Sequence, residues 1–371
     1  MNKLWILLAV SLAMAFVIDQ RDAQLRHEGI RRREISVTFL LMLVLGFFCG
    51  LRTWGNDTGT YLEIYEHLIP VWSKITPANT PEFSSGLGFF YASSMLKTLG
   101  FSEQDYLMFF AFATVIPYVL FVRRYSRSMV FGVFLMFATG FYTFSLAAIK
   151  QCMALGICLM ALDFALERKW IRYCLMIALA MLFHPYAMIY FLVPLMMFKP
   201  WTPRTFLYMA VFIAAGFYLD TLIGTVLDIT DMMGAEYTEE SFAGEGVNLF
   251  RVAVSFVPLV LATLYGKKLF RNSSETDDLM FNLAMLNALI MFVGIFGTAN
   301  YFARLANYFL PAQVIVLPWI LGKAHPKDKA WLIPACVVGY LGYFYYENAI
   351  IRPFDTGYSH TSFWGYIAGL F

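Results

Sequence analysis

The chain alternates long apolar runs with short, strongly basic connections, and that alternation decides what it can fold into. A helix crossing a bilayer needs about 20 predominantly apolar residues, because hydrocarbon offers no water to satisfy exposed backbone groups. Runs of this kind recur throughout the 371 residues. Composition agrees, with 60% hydrophobic residues, 14% charged residues and a mean hydropathy of +0.64. Soluble domains lie near about 45–50% apolar and about 25% charged. A soluble enzyme, a disordered tail and a fibrous repeat are therefore excluded. The fold class expected is an all-α polytopic membrane protein, formed as a single integral domain over residues 1–371.

Twelve transmembrane helices are predicted, over 3–18, 35–51, 105–122, 129–146, 148–166, 170–184, 186–198, 204–223, 248–265, 279–298, 301–321 and 330–346. The first begins like a signal peptide, but Asp19 and a basic loop follow it directly and no small-residue cleavage site precedes a mature domain. Lys and Arg accumulate in cytoplasmic loops, and here they accumulate in alternate connections. These are 19–34 (Arg21, Arg26, Arg31, Arg32, Arg33), 123–128, 167–172, Lys199 with Arg204, 267–271 and 323–329, which hold 19 of the 27 Lys and Arg residues. Both termini are then expected outside.

Two segments test this ladder. Residues 86–100 are apolar enough to suggest a further span, but counting one would invert every later loop, so an interfacial helix on the outer side is expected. Residues 170–198 joined as one helix would run about 43 Å, too long for a core of about 30 Å. A hairpin turning at His184-Pro185 keeps the ladder intact. The outer side then carries loop 52–104, an acidic loop 224–247 and an aromatic tail 347–371 with Arg352, Asp355, His360 and Trp364.

Eight basic residues remain: Lys3, Arg52, Lys74, Lys97, Lys150, Arg251, Arg304 and Arg352. All fall at outer helix ends or in outer loops, against the orienting rule, and ionisable groups near a span commonly mark a pathway or ligand site. In NYFARLANYF, residues Asn300, Tyr301, Arg304, Asn307 and Tyr308 share one helical face. That stripe reads either as a snorkelling arginine with interfacial tyrosines or as a functional site, and its two asparagines favour the site. Lys150-Gln151 opens the fifth helix, where a snorkelling lysine is the plainer alternative. Asp57 lies in a Gly-Asn-Asp turn and reads either as the N-cap of a helix from Thr58 or as a free carboxylate. His184 reads as a structural donor or as a base.

Net charge is +2 with no basic run outside short loops, so nucleic acid is not an expected partner. The five cysteines lie within apolar runs and form no CxxC pair, which suits buried filler. No nucleotide loop, HExxH, GxSxG or zinc spacing occurs, and the outer carboxylates show no paired spacing for a metal. The cytoplasmic loops are too short for a nucleotide-binding domain, so any chemistry must use an activated substrate already bound to lipid. Outward Arg and Lys suit a lipid-linked pyrophosphate, and aromatic rings suit sugars. Candidate bases are Asp57, Glu82 and His184. Arg52, Lys150, Arg251, Arg304 and Arg352 are candidate phosphate ligands.

The sequence resembles the EpsG family of Wzy-like bacterial polymerases for O-antigen, capsule or exopolysaccharide. The resemblance rests on Arg52 with Gly55-Asn56-Asp57 and Tyr61, on Glu82 with the Gly/Phe-rich stretch to Tyr91, on Ile149-Lys150-Gln151 with Ala154, on His184, and on Tyr301 with Arg304. Each motif is short, but together they run from residue 50 to 310. The family usually has Arg before the glutamine, and this chain has Lys150, which keeps the charge but not the bidentate geometry.

The resemblance implies a GT-C-like fold without nucleotide or other cofactor, and a polymerase at the outer face of the bacterial cytoplasmic membrane. It would move a polyprenyl-pyrophosphate-linked glycan onto a lipid-linked repeat unit. Substrate contacts would come from Arg52, Tyr61, Lys150, Gln151, Arg251, Tyr301, Arg304 and Arg352, with a chain-length regulator and a flippase as candidate partners. An O-antigen ligase would use the same cationic groups. A flippase or transporter predicts midplane charges and repeated halves, which the sequence lacks. A membrane O-acyltransferase would depend on His184 alone. The expected topology has a direct check: a protease-sensitive tag inserted at position 270 should be cleaved only after the membrane is permeabilised.

Overall fold

The computed structural model describes residues 1–30, 33–70, 80, 86–219, 224–225, 228, 245–297 and 299–358. Glu82, Lys74, Arg31, Arg32, His360, Trp364 and most of loop 224–247 lie outside the described residues. The described chain is mostly helical. Among these residues five helices are long and apolar enough to cross a membrane: α1 (Asn2–His27), α5 (Glu103–Tyr125), α8 (Ile149–Leu166), α11 (Leu249–Tyr265, which runs on to Lys268) and α12 (Glu275–Val293). Shorter apolar helices are α2 (Ser36–Gly50), α6 (Met129–Ala138), α9 (Trp170–Phe183), α10 (Pro203–Phe217) and α14 (Leu310–Lys323). Small elements are α3 (Thr58–Glu66), α4 (Leu87–Thr98), α7 (Phe141–Phe144) and α13 (Ala299–Ala306), and α15 (Pro326–Tyr345) runs into a π-helical turn over Tyr346–Ile351.

Helix α12 forms the centre. It is buried on nearly every side, as a helix apolar all round must be, and α10, α11, α13 and α14 pack on it. A second group places α5 between α2 and α8, with α9 outside α8. Three of the five cysteines are core filler; Cys336 is half-buried, while Cys174 is exposed on α9. It belongs to the outward apolar face of that helix, with Ile171, Leu175, Leu179 and Leu182, so apolar sequence context did not mean burial within the protein.

Two predicted spans are interrupted. Segment 129–146 divides at Gly140, whose φ of +82° ends α6 in the left-handed region and starts the short α7, a conformation glycine adopts at little steric cost. Segment 301–321 divides into α13 and α14 around Asn307–Phe309, where Pro311 opens the second helix, a position that spares its missing N–H. Segment 186–198 is not α-helical. Pro185–Met196 winds as a 3-10 helix, rising about 2.0 Å per residue, so that twelve residues reach about 24 Å instead of about 18 Å. It returns against α9, where the Tyr173 hydroxyl donates to the Tyr190 carbonyl. The buried Asn282 amide holds its far end by donating to the Met196 and Phe198 carbonyls, both at 2.8 Å.

A further departure is a two-stranded antiparallel pair, β1 (Arg52–Trp54) with β2 (Gly357–Tyr358), joining residues more than 300 positions apart. Gly357 is required by close approach: a Cβ there would fall 1.4 Å from Trp54 Nε1.

The basic connections all gather at one end of the bundle. Arg123 pairs with Asp22 and donates to the Glu34 carbonyl at 3.0 Å, and Arg33 donates to the Arg123 carbonyl at 2.7 Å. Asp19 accepts from Ser128 Oγ and the Met129 amide, both at 2.8 Å. Arg127 reaches Asp277 at 3.2 Å, Arg168 reaches Glu275, and Lys199 bridges Ser273 and Asp278. Lys323 donates to the Asn272 carbonyl. At the opposite end Lys3 stands over the Tyr358 ring at 4.7 Å, and Tyr358 donates to the Phe48 carbonyl. Breaking one partner of a buried ion pair costs about 3–5 kcal/mol, because the other charge is stranded. Arg123→Ala should lose about that much unfolding stability in detergent by this comparison, and Asp22→Asn added to it should restore part of the loss.

Candidate functional site

Both helix breaks open onto one cavity of about 570 Å³ at the end of the bundle opposite the basic connections. Thr139, Gly140 and Thr143 come from the first break, and Arg304, Asn307 and Leu310 from the second. The β1–α3 turn contributes Asn56 and Asp57, and the segment after α15 contributes Glu347, Asn348, Arg352 and Asp355. Ends of this kind add backbone groups to a polar wall, since an unbroken helix satisfies its own backbone and offers only side chains.

Of the residues expected to be functional, Asp57, Arg251, Arg304 and Arg352 line this cavity. Asp57 occupies the N-cap position of α3, but its side chain makes no capping hydrogen bond, so the carboxylate is not consumed in the helix. Arg304 is exposed, and no carboxylate pairs with it among the described residues. Its backbone is fixed instead, because Gln151 Nε2 donates to the Arg304 carbonyl at 2.6 Å. Arg352 is likewise exposed, with its amide donating to the Glu347 carbonyl. Arg251 differs: its guanidinium forms a two-pronged pair with Glu347, at 2.8 and 2.5 Å.

Arg52 stands outside the cavity lining. It is 2% exposed, and its guanidinium donates to the Cys49 carbonyl at the end of α2 and to Thr58 Oγ1 at 2.9 Å. In this position it closes a helix C-terminus and anchors the start of α3. Tyr61, Lys150, His184 and Tyr301 each lie against aromatic rings. Tyr61 meets Phe89 edge-on at 5.7 Å, and Lys150 lies over the Phe89 ring at 5.3 Å. His184 Nδ1 and the Tyr308 hydroxyl are 2.9 Å apart, and Tyr186 packs on both His184 and Tyr301. Burial pushes the Tyr61 phenol up to about 12; Asp57 adds to the rise, while the Lys150 backbone and Arg304 oppose it. Tyr61 therefore stays a neutral hydrogen-bond donor throughout the physiological pH range. Gln151 itself is buried, and Lys150 precedes it on the first turn of α8.

Sequence reading took Arg352 from the C-terminal tail as a site residue and noted Asp355 there without a role, but missed Glu347, Asn348 and the buried amides Asn287 and Gln313. A polar residue inside an apolar run was the available signal for those two. Among the described residues no group of three or more His, Cys, Asp or Glu side chains comes together as metal ligands would.

Exposed cations over a polar recess at one end of a helical bundle are the arrangement this site presents. A model of the EpsG family matches residues 35–363. The chain belongs to that family and is a membrane protein of the polysaccharide-polymerase type. No curated protein and no solved structure matches it.

The Arg251–Glu347 pair generates a prediction of its own. Glu347→Gln frees a third guanidinium at the cavity, and one charge-assisted hydrogen bond is worth about 1.5–3 kcal/mol. Inorganic pyrophosphate, used as an anionic probe in a direct binding assay, should bind about tenfold tighter to this variant.

Proposed function

We propose that the protein polymerises a polysaccharide at the outer face of the bacterial cytoplasmic membrane. It would transfer a growing glycan from its polyprenyl pyrophosphate onto the non-reducing sugar of a new lipid-linked repeat unit. The observation that carries this reading is the pairing, at one cavity, of an uncapped carboxylate on Asp57 with two guanidinium groups, Arg304 and Arg352, that no carboxylate neutralises among the described residues. The acceptor hydroxyl oxygen bonds to the anomeric carbon of the donor as the bond from that carbon to the pyrophosphate oxygen breaks. The proton passes to Asp57, and polyprenyl pyrophosphate leaves with its new charge held by Arg304 and Arg352. General-base catalysis contributes about 10²–10⁴-fold, and electrostatic stabilisation of the leaving group often more.

Tyr61 and Lys150 flank this pair as donors to the substrate, Gln151 sets the height of Arg304, and Tyr301 presents an aromatic face. Arg251, already engaged with Glu347, orders the wall; Arg52 holds the Asp57 turn. Glu82 and His184 are the alternative bases, and the His184 contact with Tyr308 favours a positioning role. Twelve crossings with both termini outside, a GT-C-like arrangement and nucleotide-independent chemistry complete the reading, with a flippase as supplier of repeat units and a chain-length regulator as partner. A ligase remains the second reading, since the same cations would release the same pyrophosphate.

The deciding experiment is a gel of lipid-linked and surface glycan from a strain lacking this chain. Single repeat units should accumulate while long chains vanish. Full-length chains stranded on lipid would indicate a ligase, repeat units trapped inside a flippase, and unchanged chain length would remove all three. On complementation Asp57→Asn should slow polymerisation by about 10²–10⁴-fold. Arg304→Ala should slow it by about 10–100-fold, as loss of a charge-assisted contact does.

A further inference from the structure

The cavity is graded in charge with depth. Its exposed residues include Asp57, Arg304, Arg352 and Asp355, whereas its buried ones are uncharged: Asn287 at 0%, Gln313 at 1% and Ser255 at 3% exposure. These inner groups form one network. Asn287 Nδ2 donates to the Ala306 carbonyl at 2.7 Å, at the broken end of α13. Gln313 Nε2 donates both to Asn287 Oδ1 at 2.6 Å and to the Ser255 carbonyl at 3.0 Å. With its NH₂ held between two acceptors, the Gln313 amide cannot be flipped without placing oxygen against oxygen. Its carbonyl Oε1 is buried and has no hydrogen-bond partner among the described residues. Asn307, one turn beyond Arg304 on the cavity wall, is half-buried, and no hydrogen bond engages its side chain among the described residues.

An unpartnered buried acceptor asks for a donor. A phosphate at neutral pH supplies mainly acceptors and would set oxygen against oxygen there. A sugar hydroxyl or an acetamido N–H supplies what is missing, and Asn307 can both donate to and accept from such groups. Val254, Met291 and Leu310 add apolar wall suited to the C–H face of a ring. We infer that this inner layer, Asn287, Asn307 and Gln313 with Ser255, is the subsite for an uncharged sugar ring of the lipid-linked glycan, lying inward of the cations that take its pyrophosphate. The inference rests on the polymerase reading and deepens it: glycan identity is read by neutral amides, lipid pyrophosphate by charge. Asn287 and Gln313 thereby acquire a role in specificity separate from catalysis.

The test measures binding by the full-length protein in nanodiscs. One probe is polyprenyl pyrophosphate without glycan, and the other is the lipid-linked repeat unit isolated from the host strain lacking this chain. Wild-type protein should prefer the glycan-bearing probe. Asn307→Ala and Gln313→Leu should each weaken it about tenfold, about 1.4 kcal/mol, and leave the bare probe unchanged, which also certifies that the variants fold. Arg304→Ala should weaken both. Equal loss of both probes in the amide variants, or loss of neither, overturns the sugar subsite while leaving the polymerase reading intact. Binding of neither probe by wild-type protein overturns both.

Discussion

A charge held in or near hydrocarbon must be paired, hydrated or carried to the surface on a long side chain, and the remainder of this fold is arranged around how each end of the bundle meets that demand. At one end nearly every connection is tied to another by an ion pair or a charged hydrogen bond, from Asp22–Arg123 through Arg127–Asp277 to Lys199–Asp278. These contacts join helices distant in sequence, so their registers are set relative to one another before the far end is considered. At that far end pairing stops short. Arg251 has Glu347, but among the described residues Arg304, Arg352 and Asp57 keep unmatched charge, which a rigid bundle can hold and a loose one would collapse upon.

The polar cavity follows from interruption of helices that could have been continuous. A through-going helix at 129–146 or 301–321 would present side chains only, and its backbone would be closed to a ligand. Breaking both places a turn of backbone, two threonines and Asn307 where a span would otherwise run. Bound elements then lock the turns: Gln151 holds the Arg304 carbonyl, Asn287 holds the Ala306 carbonyl, and Arg52 holds the end of α2. These three residues act on geometry more than on charge, although two of them were first noticed as polar groups near a membrane.

Local physics was legible in the sequence and remote pairing was not. The basic ladder could be read because loop charge depends only on nearby residues, and the face shared by Arg304 and Asn307 because helical spacing is local. Asp57 was ambiguous between cap and free carboxylate, and only coordinates separate the two. Gly140 looks like any glycine in an apolar helix until its left-handed φ is known. The β1–β2 pair and the Arg251–Glu347 contact link residues more than 300 positions and 96 positions apart, and nothing in either local sequence announces the other. Family resemblance reached the functional class, while the inner amides escaped because each lies singly in its own apolar run.

The 3-10 segment Pro185–Met196 has a consequence for how this chain tolerates change in length. Each residue there contributes about 2.0 Å of axial reach, against about 1.5 Å in the α-helices around it. Asn282 clamps one end and the His184–Tyr308 contact fixes the other, so neither terminus can slide to absorb an insertion. Adding or deleting one residue would displace His184 from Tyr308 or unseat Asn282, and would rotate every following side chain by about a third of a turn. Among close relatives this stretch should vary in composition while its residue number stays constant, whereas the α-helices facing lipid can lengthen or shorten with the thickness of the host membrane.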